Sequence, residues 1–280
     1  MKTKFAIIGH VAFNEDITPF GQKISLGGAA YYSAIGAMAA NPNGVGIVAA
    51  VGSDFDLALL HQLEVNIDGV RIIQDKQTAK FTIVQREDGS RSFNAIWGAS
   101  EKVYLNLFPE EYKDIDYVHL ATAPPMQQLE WMRMLRKMPR KIFISVDTFE
   151  EFTKCYPEES KMVIEASDFV FINQEEALAL DFENSILAKK PHILKMGSNG
   201  AKYSDGLHKI HIKAPKAKVV DTTGAGDVLA GAFFALRSNG ISIRSALWES
   251  INLATISVQN FGVDHLINSL NCFHFVNADK

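Results

Sequence analysis

The chain has 280 residues, of which 47% are hydrophobic and 10% aromatic, enough to bury one large core. Its 28 Lys and Arg residues are outnumbered by 32 Asp and Glu residues, the net charge is −4, and no basic block occurs in the sequence. This balance excludes the electrostatic footprint of nucleic-acid binding and of binding to an anionic membrane surface. No apolar run reaches the roughly 20 residues that a membrane span needs. We therefore expect a small-molecule ligand.

The N-terminal residues and the cysteines indicate the cellular compartment of the protein. Two lysines precede the apolar run 5–9, as in a signal peptide, but His10 interrupts the run and an acidic segment follows without a cleavage pattern. We interpret the run as a buried first strand. Cys155 and Cys272 are too few for a disulfide framework or a four-thiolate zinc site, and they fit a reducing compartment. The sequence therefore predicts a cytoplasmic protein.

Short apolar runs alternate with longer helical patterns along most of the chain. Strands that are apolar on both faces and separated by helices indicate an α/β fold, with a parallel sheet covered on both sides. The strand-like runs are 5–9, 45–52, 117–121, 141–147, 169–173 and 192–197. The predicted helices are 29–40, 54–64, 126–138, 158–166, 174–180, 227–239 and 245–260.

Two segments, 13–28 and 79–98, break this alternation. Both are rich in strand-forming residues, and the second contains a turn sequence at 87–90 that is typical of a hairpin. We expect them to form a small second sheet within a single domain that spans 1–280, because no linker or repeat interrupts the chain. Aromatic residues in the tail 267–280 suggest docking on the core or on a second subunit.

The stretch "KVVDTTGAGDVLAGAFFALRSNG" (218–240) is the most informative one. Val219 and Val220 end a strand-like run, 228–236 is apolar and helix-like, and Gly240 is a good helix stop. The segment 224–226 therefore lies at a helix N-terminus, where free backbone N–H groups and the helix dipole bind anions. Its two glycines keep side chains away from such an anion.

Asp227 follows these glycines, and a carboxylate beside an anion is a poor binding group. It is well suited to act as a general base that takes a proton from a hydroxyl attacking phosphorus. The alternative is that Asp227 merely complements the helix dipole and the glycines form a tight turn. The stretch is neither a P-loop nor a dinucleotide fingerprint, since Leu229 occupies the position of the third glycine.

The same stretch resembles the C-terminal signature of the ribokinase-like (PfkB) family of small-molecule kinases. Further segments resemble other family motifs in the family's order, so the resemblance covers almost the whole chain. The motifs are DTTGAGDVLAGAF (221–233), LGGAAYYSAIGAMA (26–39), AAVGSDF (49–55), NQEEA (173–177), KMGSNGAKY (195–203) and INLATISVQNFG (251–262).

The resemblance implies an ATP-dependent kinase that phosphorylates an alcohol group. It implies a three-layer α/β/α sandwich with a mainly parallel central sheet and a small β-sheet lid, formed by segments at about 11–28 and 78–100. In this family the lid closes over the substrate and often mediates dimers, and a homodimer through the lid is left open here. Closure would exclude water, which competes as a phosphoryl acceptor.

Roles for the catalytic residues also follow from the resemblance. Asp227 would be the base, and the backbone N–H groups of Gly224, Ala225 and Gly226 would form the anion hole. Asn173 and Glu176 would hold hydrated Mg²⁺. From the residues alone, an ordinary helix cap is the simpler interpretation of Asn173 and Glu176.

The nucleotide positions are carried over in the same way. Gly197 and Gly200 would let the chain pass close to ATP, and two positions of the last helical pattern would line the base. Asp221 and Thr223 match positions that bind a monovalent cation in some members, and a K⁺ requirement is left open. The implied nucleotide-binding residues are Lys195, Gly197, Gly200, Thr223, Asn252 and Ala254.

The acceptor positions depart from the family pattern. Asn14 stands where many relatives have an Asp that binds substrate hydroxyls, and Tyr32 follows the glycine pair Gly27 and Gly28. An Asn side chain still hydrogen-bonds hydroxyls. Tyr32, and also Trp97, could stack on a base or a sugar ring, or could simply belong to the core.

No lysine follows the glycine pair, so a phosphorylated sugar loses one expected partner. Arg86 and Arg91 could replace it, but solvated hairpin charges are the simpler interpretation. We therefore rank a neutral polyhydroxylated acceptor first: a sugar, a cyclitol or a nucleoside. Two alternatives stay open, a fructose-6-phosphate-type kinase and a catalytically silent sensor with this fold.

Overall fold

A computed structural model describes most of the chain, including every predicted site residue. The tail 267–280 lies outside the described residues, and so does Gly89 in the predicted hairpin. The described residues are 3–41, 44–61, 63–88, 90–103, 108–112, 114–263 and 265–266.

The strands form two separate sheets. One has nine strands in the order β13-β12-β11-β10-β9-β8-β1-β4-β5, and the other has four in the order β3-β2-β6-β7. The strands are β1 (Phe5–Ile8), β2 (Ala12–Thr18), β3 (Gly21–Gly27), β4 (Val45–Gly52), β5 (Asn66–Ile73), β6 (Ala79–Gln85), β7 (Arg91–Ile96), β8 (Tyr117–Leu120), β9 (Phe143–Asp147), β10 (Phe169–Asn173), β11 (His192–Lys195), β12 (Ala201–Ser204) and β13 (Lys209–Ile212).

The large sheet is mainly parallel, as predicted. The seven strands from β5 to β11 in that order pair in parallel, and β12 and β13 extend the sheet in antiparallel fashion. The helices are α1 (Ala29–Ala40), α2 (Ala58–His61), α3 (Pro125–Leu135), α4 (Glu150–Cys155), α5 (Pro157–Ala166), α6 (Gln174–Ala179), α7 (Ala225–Ser238) and α8 (Ile243–Ser257).

Helices cover both faces of this sheet, because successive side chains of a strand point to opposite sides. Phe5 and Ile7 of β1 pack with α1, α7 and α8 on one face. Ala6 and Ile8 of the same strand pack with α3 and α5 on the other. The result is the predicted three-layer α/β/α arrangement.

The small sheet is built by the two segments that broke the sequence pattern. β2 pairs with β3 as an antiparallel hairpin, β2 pairs with β6 in parallel, and β6 and β7 form a second hairpin. The inward face of β2 alternates regularly, since Ala12, Asn14, Asp16 and Thr18 are all buried. This face looks toward the loop that precedes α7.

Some element predictions were wrong. The helix predicted over 54–64 is only Ala58–His61, because the Asp54 carboxylate accepts hydrogen bonds from the Thr78 N–H and hydroxyl and holds its segment outside the helix. Val219 and Val220 lie in no strand, although the Val220 N–H bonds the Val258 carbonyl. The edge strands β5 and β13 were not predicted, since half-exposed edges lack a continuous apolar run, and the four-residue strand β12 was also missed.

Among the described residues, no helix has the length and apolar character needed to cross a membrane.

Candidate active site

A cleft of about 1530 Å³ lies between the two sheets. Asp147, Asn173 and Lys195 line it from the carboxyl ends of β9, β10 and β11, which is where ligands bind in open α/β sheets. The volume exceeds that of a pocket for one small ligand. The cleft therefore has room for a phosphoryl donor and an acceptor together.

One wall of the cleft is the anion loop, residues 222–226. Gly224 caps α7 with φ 76°, a left-handed conformation that favours glycine. A Cβ at Gly224 would lie 2.5 Å from the ring of Tyr32, so the buried tyrosine supports the loop from behind. The backbone N–H groups in the first turn of α7 have no intrahelical partner and are available to an anion.

The small sheet is hydrogen-bonded to this loop through Gln85 at the end of β6. Its side-chain amide donates to Asp221 Oδ1 at 2.7 Å and to Thr223 Oγ1 at 2.9 Å. Its carbonyl accepts from the Thr222 hydroxyl at 2.9 Å. Asp221 Oδ1 also accepts from the Thr223 N–H, and Oδ2 accepts from the Gly262 N–H. The loop is therefore fixed to the lid sheet and to the segment after α8.

Asp227 lies half-buried in the first turn of α7, and its Oδ1 is buried without a hydrogen-bond partner. Burial and the nearby Asp147 carboxyl raise the pKa of Asp227 well above its ordinary value, and Lys195 partly offsets them. A carboxylate with a raised pKa and an unused oxygen facing a cleft has the properties of a general base.

A buried ion pair lies beside this carboxylate. Lys195 Nζ is 2.6 Å from Asp147 Oδ1, and the Asp147 side chain is 1% exposed. Burial raises the pKa of Asp147 to about 6, with Lys195 opposing and Glu176 adding to the shift. Burial alone would lower the pKa of Lys195, but Asp147 and Glu176 outweigh it and raise that pKa.

Asn173 and Glu176 form a complete capping box at the start of α6. Asn173 Oδ1 accepts from the Glu176 N–H at 2.8 Å, and Glu176 Oε2 accepts from the Asn173 N–H at 2.9 Å. Glu176 Oε2 also accepts from the Thr148 hydroxyl at 2.6 Å. The capping interpretation is thus correct for the local structure, and it holds the carboxylate rigidly at the edge of the cleft.

The other end of the cleft has an aromatic wall, made of Phe81, Phe93, Trp97, Phe149 and Phe152. The first three belong to the lid sheet and its end, and the last two follow β9. Phe93 meets Phe149 across the cleft with ring centroids 5.2 Å apart, and Trp97 stacks on Phe152 at 6.4 Å. Four of the five rings are only half-buried, so the wall presents flat apolar surface to a ligand.

His10 lines the cleft behind the aromatic wall, with its ring 5.1 Å from that of Trp97. Nε2 lies 3.2 Å from Gln127 Oε1. Burial lowers the pKa of His10 to about 4, with the Gln127 hydrogen bond opposing the shift. The ring is therefore neutral at pH 7 and adds no cation to this end of the cleft.

Comparison with known proteins identifies the family. The model of the pfkB family of carbohydrate kinases matches residues 6–269. The chain belongs to this family. It is 29% identical to a cytidine kinase of Thermococcus kodakarensis over 91% of this chain and 96% of the relative. It is 28% identical to a ribokinase of Lactococcus lactis over 93% and 92% of the two chains.

Solved structures confirm the ribokinase-like fold. A nucleoside kinase of Burkholderia thailandensis in complex with inosine matches with a TM-score of 0.81 at 17% identity, covering 99% of both chains. An adenosine kinase of Sinorhizobium meliloti matches with a TM-score of 0.80 at 19% identity, covering 98% of this chain and 100% of that one. The protein is thus a kinase with an alcohol group as acceptor, as predicted.

The kinase brings most of the predicted nucleotide residues to the cleft. Lys195, Gly197, Gly200 and Thr223 line it, and both glycines adopt positive φ. Ala254 lines it on the same face of α8 as Ile251, Thr255 and Val258, which are spaced as one helical face. Asn252 and Asp221 are not among the described lining residues, because Asn252 is off that face and Asp221 lies beneath the anion loop.

The predicted acceptor residues meet at one point. Asn14 Nδ2 donates to the Tyr32 hydroxyl at 3.0 Å, while Asn14 Oδ1 is buried without a partner. Asn14, Gly28 and Tyr32 line the cleft. A Cβ at Gly27 would lie 2.5 Å from Asn14 Oδ1, so this glycine makes room for the amide. Tyr32 is buried and does not stack in the cleft, whereas Trp97 belongs to the aromatic wall.

Sequence reasoning missed Asp147, Phe81, Phe93 and the pair Phe149 and Phe152. Asp147 ended a predicted parallel strand, and the carboxyl ends of such strands are where sites form, so this signal was present. The two-residue alternation along β6 and β7 places Phe81 and Phe93 on one face of the hairpin. Only the folded chain shows that this face meets the segment after β9.

The carboxylates at this edge of the cleft are hard oxygen donors of the kind that Mg²⁺ prefers. Among the described residues, no group of three or more His, Cys, Asp or Glu side chains could hold a metal ion. Asp147 Oδ2 and Asp227 Oδ1 are buried carboxylate oxygens without partners. Hard oxygen donors in small number fit Mg²⁺, which keeps several waters and is held largely by substrate phosphates.

Proposed function

We propose that the protein transfers the γ-phosphoryl group of ATP to a hydroxyl of a nucleoside. The observation that carries this proposal is the aromatic wall, which shares one cleft with Asp227 and the anion loop. A nucleoside is the member of the neutral polyhydroxylated acceptors that has a planar aromatic base. A free pentose or a cyclitol would leave the half-buried rings uncovered.

The chain's own groups supply the phosphoryl-transfer chemistry. Asp227 takes the proton from the acceptor hydroxyl. As it does so, the hydroxyl oxygen bonds to the γ-phosphorus and the bond between the γ-phosphorus and ADP breaks. The N–H groups of Gly224, Ala225 and Gly226 stabilise the charge on the transferred group. A base whose pKa is raised toward the working pH accepts this proton effectively.

The nucleotide would lie along the turn after β11 and against α8. Gly197 has open space around its Cα, and Gly200 turns the chain with φ 86°, so backbone rather than side chains faces the ligand. Asn173 and Glu176 would bind Mg²⁺ through water. When bound, Mg²⁺ would neutralise the charge of the phosphates.

The base would lie against the cleft-facing side of these rings, since rings of the small sheet and of the core already contact each other. Stacking of a base on an aromatic side chain contributes about 1–3 kcal/mol. Asn14 Oδ1, buried without a partner, would accept a hydrogen bond from a ribose hydroxyl. Two of the relatives support this choice by name, the cytidine kinase and the nucleoside kinase in complex with inosine.

A phosphorylated acceptor ranks lower because two of the three lysines that line the cleft, Lys154 and Lys195, already have carboxylate partners. Lys195 pairs with Asp147, and Lys154 pairs with Glu150 one helical turn away. Arg86 is exposed and donates to the Ser92 hydroxyl within its hairpin.

Two further expectations are retained as proposals. The small sheet acts as a lid, and a homodimer would form through its apolar side chains, of which Phe20, Ile24 and Ile96 are exposed. Light scattering of Ile24→Lys against wild type tests this, since loss of a dimer in the variant is the expected result.

The K⁺ requirement gains no support, because both oxygens of Asp221 already accept hydrogen bonds.

The direct test is ADP release from ATP and Mg²⁺ across neutral nucleosides, pentoses, cyclitols and sugar phosphates. We expect nucleosides to stimulate release most and Asp227→Asn to abolish the stimulation. Turnover of fructose 6-phosphate well above all neutral acceptors would replace the acceptor class. Nucleotide binding without ADP release for any acceptor would favour the sensor alternative.

A further inference from the structure

Lys195 is the cation of the cleft that lies next to the anion loop. A Cβ at Gly226, in the middle of that loop, would be 3.1 Å from Lys195 Nζ. The side chain of Lys195 is 15% exposed, and it lines the cleft together with Gly226 and Asp227. Its ammonium thus borders the space where the backbone N–H groups would receive an anion.

The position of this ammonium is set by strand order. β10 lies between β9 and β11, and the register pairs Asn173 of β10 with Lys195 of β11. The long side chain therefore crosses the end of β10 to reach Asp147 at the end of β9. Asp147 is itself held, because its Oδ1 also accepts from the Thr148 N–H at 2.9 Å and its carbonyl accepts from Gln128.

This ion pair leaves donors unused. A lysine ammonium has three N–H donors, and among the described residues Lys195 has one hydrogen-bond acceptor, Asp147 Oδ1. The other Asp147 oxygen is buried without a partner. A lysine that only closed a structural ion pair would gain from burying its remaining donors against acceptors. Here the Lys195 side chain keeps 15% of its surface exposed and lines the cleft beside the anion loop.

We propose that Lys195 is a catalytic residue that contacts the transferred phosphoryl group, and that Asp147 is the positioning residue that aims its ammonium. This inference rests on the proposed transfer from ATP but not on the identity of the acceptor. The chain then supports the phosphoryl group from two sides, with backbone N–H groups from α7 and one ammonium from β11.

The test compares the affinities of ADP and of a non-hydrolysable imido analogue of ATP, both with Mg²⁺, for wild type and Lys195→Met. The two ligands differ by the γ-phosphoryl group. We expect Lys195→Met to weaken the analogue about 10-fold more than ADP, which is the size of a lost charge-assisted hydrogen bond. We expect kcat to fall by about 10²-fold, as for removal of one oxyanion donor.

Removing Lys195 alone leaves Asp147 buried and unpaired, which could unfold the chain. The double variant Asp147→Asn with Lys195→Met removes both charges and should keep the selective loss of analogue affinity. Lys161→Met, which breaks a surface pair with Glu158 on α5, is the control and should change neither affinity. Asp147→Asn alone should lower kcat, and an added external amine should not restore it.

An unchanged ratio of the two affinities in both Lys195 variants would overturn the proposal. If neither affinity changes, Lys195 is a structural residue, and if both ligands are weakened equally, its contact is not with the γ-phosphoryl group. Failure of wild type to bind either nucleotide would instead overturn the proposed function, and with it the premise of this inference.

Discussion

The two ends of the cleft are built in different ways. The phosphoryl end consists of backbone N–H groups and a few charges, most of which follow one another in the sequence 221–227 or end adjacent parallel strands. The aromatic end consists of side chains from the lid hairpin and from the segment after β9. The first arrangement depends on local backbone geometry, whereas the second can change residue by residue. The proposed reaction and the proposed acceptor choice therefore depend on different parts of the cleft.

The largest effect should come from the phosphoryl end. Asp227→Asn keeps the shape of the side chain but cannot accept the hydroxyl proton, so kcat should fall by about 10²-fold or more with little change in nucleotide affinity. Steady-state kinetics and a nucleotide titration on the same preparation provide the measurement. Retained turnover would remove Asp227 from its role as base.

The aromatic end should affect acceptor binding alone. Phe149→Leu removes one ring of the wall, and loss of base stacking should raise KM for a nucleoside about 10-fold while leaving KM for free ribose unchanged. Phe20→Leu is the matched control, because Phe20 is a 63% exposed ring of the lid outside the cleft lining. Equal changes for both acceptors would show that the wall does not bind the base.

The anion loop should be sensitive to a single methyl group. Gly224→Ala forces a positive φ on alanine and places its Cβ against the Tyr32 ring, so unfolding free energy should fall by about 2 kcal/mol. Gly240→Ala has a similar φ of 81° but no atom within 4 Å of the new Cβ, so it isolates the backbone cost. Thermal or denaturant unfolding of both variants would measure the difference. Equal losses would mean that Tyr32 does not support the loop.

A pH-dependent effect is expected at Asp16, on the inward face of β2. Burial and the nearby Asp221 raise the pKa of Asp16 to about 7, with Thr223 and Lys23 opposing the shift. The folded protein therefore keeps this proton to about pH 7, whereas the unfolded chain releases it near pH 4. The stability that the proton provides is complete below about pH 4 and is lost as the pH rises to about 7.

Asp16→Asn removes this dependence. Relative to wild type, the variant should gain up to about 4 kcal/mol of stability between pH 4 and pH 8, which corresponds to a shift of about three pKa units. Denaturant unfolding at the two pH values gives the comparison, in which the contributions of other titrating groups cancel. A variant that is less stable at pH 8 would show that the charged carboxylate has a partner there.

The helix N-terminus at the anion loop and the cap of α6 were predictable from the sequence because their geometry is local. A glycine-rich turn before an apolar helix defines the anion loop, and Asn173 with Glu176 is a capping box readable from its spacing. Asp147 was missed although it ended a predicted strand. The aromatic wall required long-range contacts, since Phe93 and Phe149 are far apart in the chain and meet only when the lid packs over the core. Edge strands such as β13 were missed because their side chains alternate between half-buried and exposed.

The most direct measurement is a competition in one reaction. Equal concentrations of a nucleoside and of free ribose are incubated with the kinase, ATP and Mg²⁺, and the phosphorylated products are separated by mass spectrometry. The account predicts nucleoside monophosphate in excess over pentose phosphate by about 10-fold or more, the discrimination that stacking of one base provides. Pentose phosphate in equal or greater amount would contradict the assignment of the aromatic wall to a base.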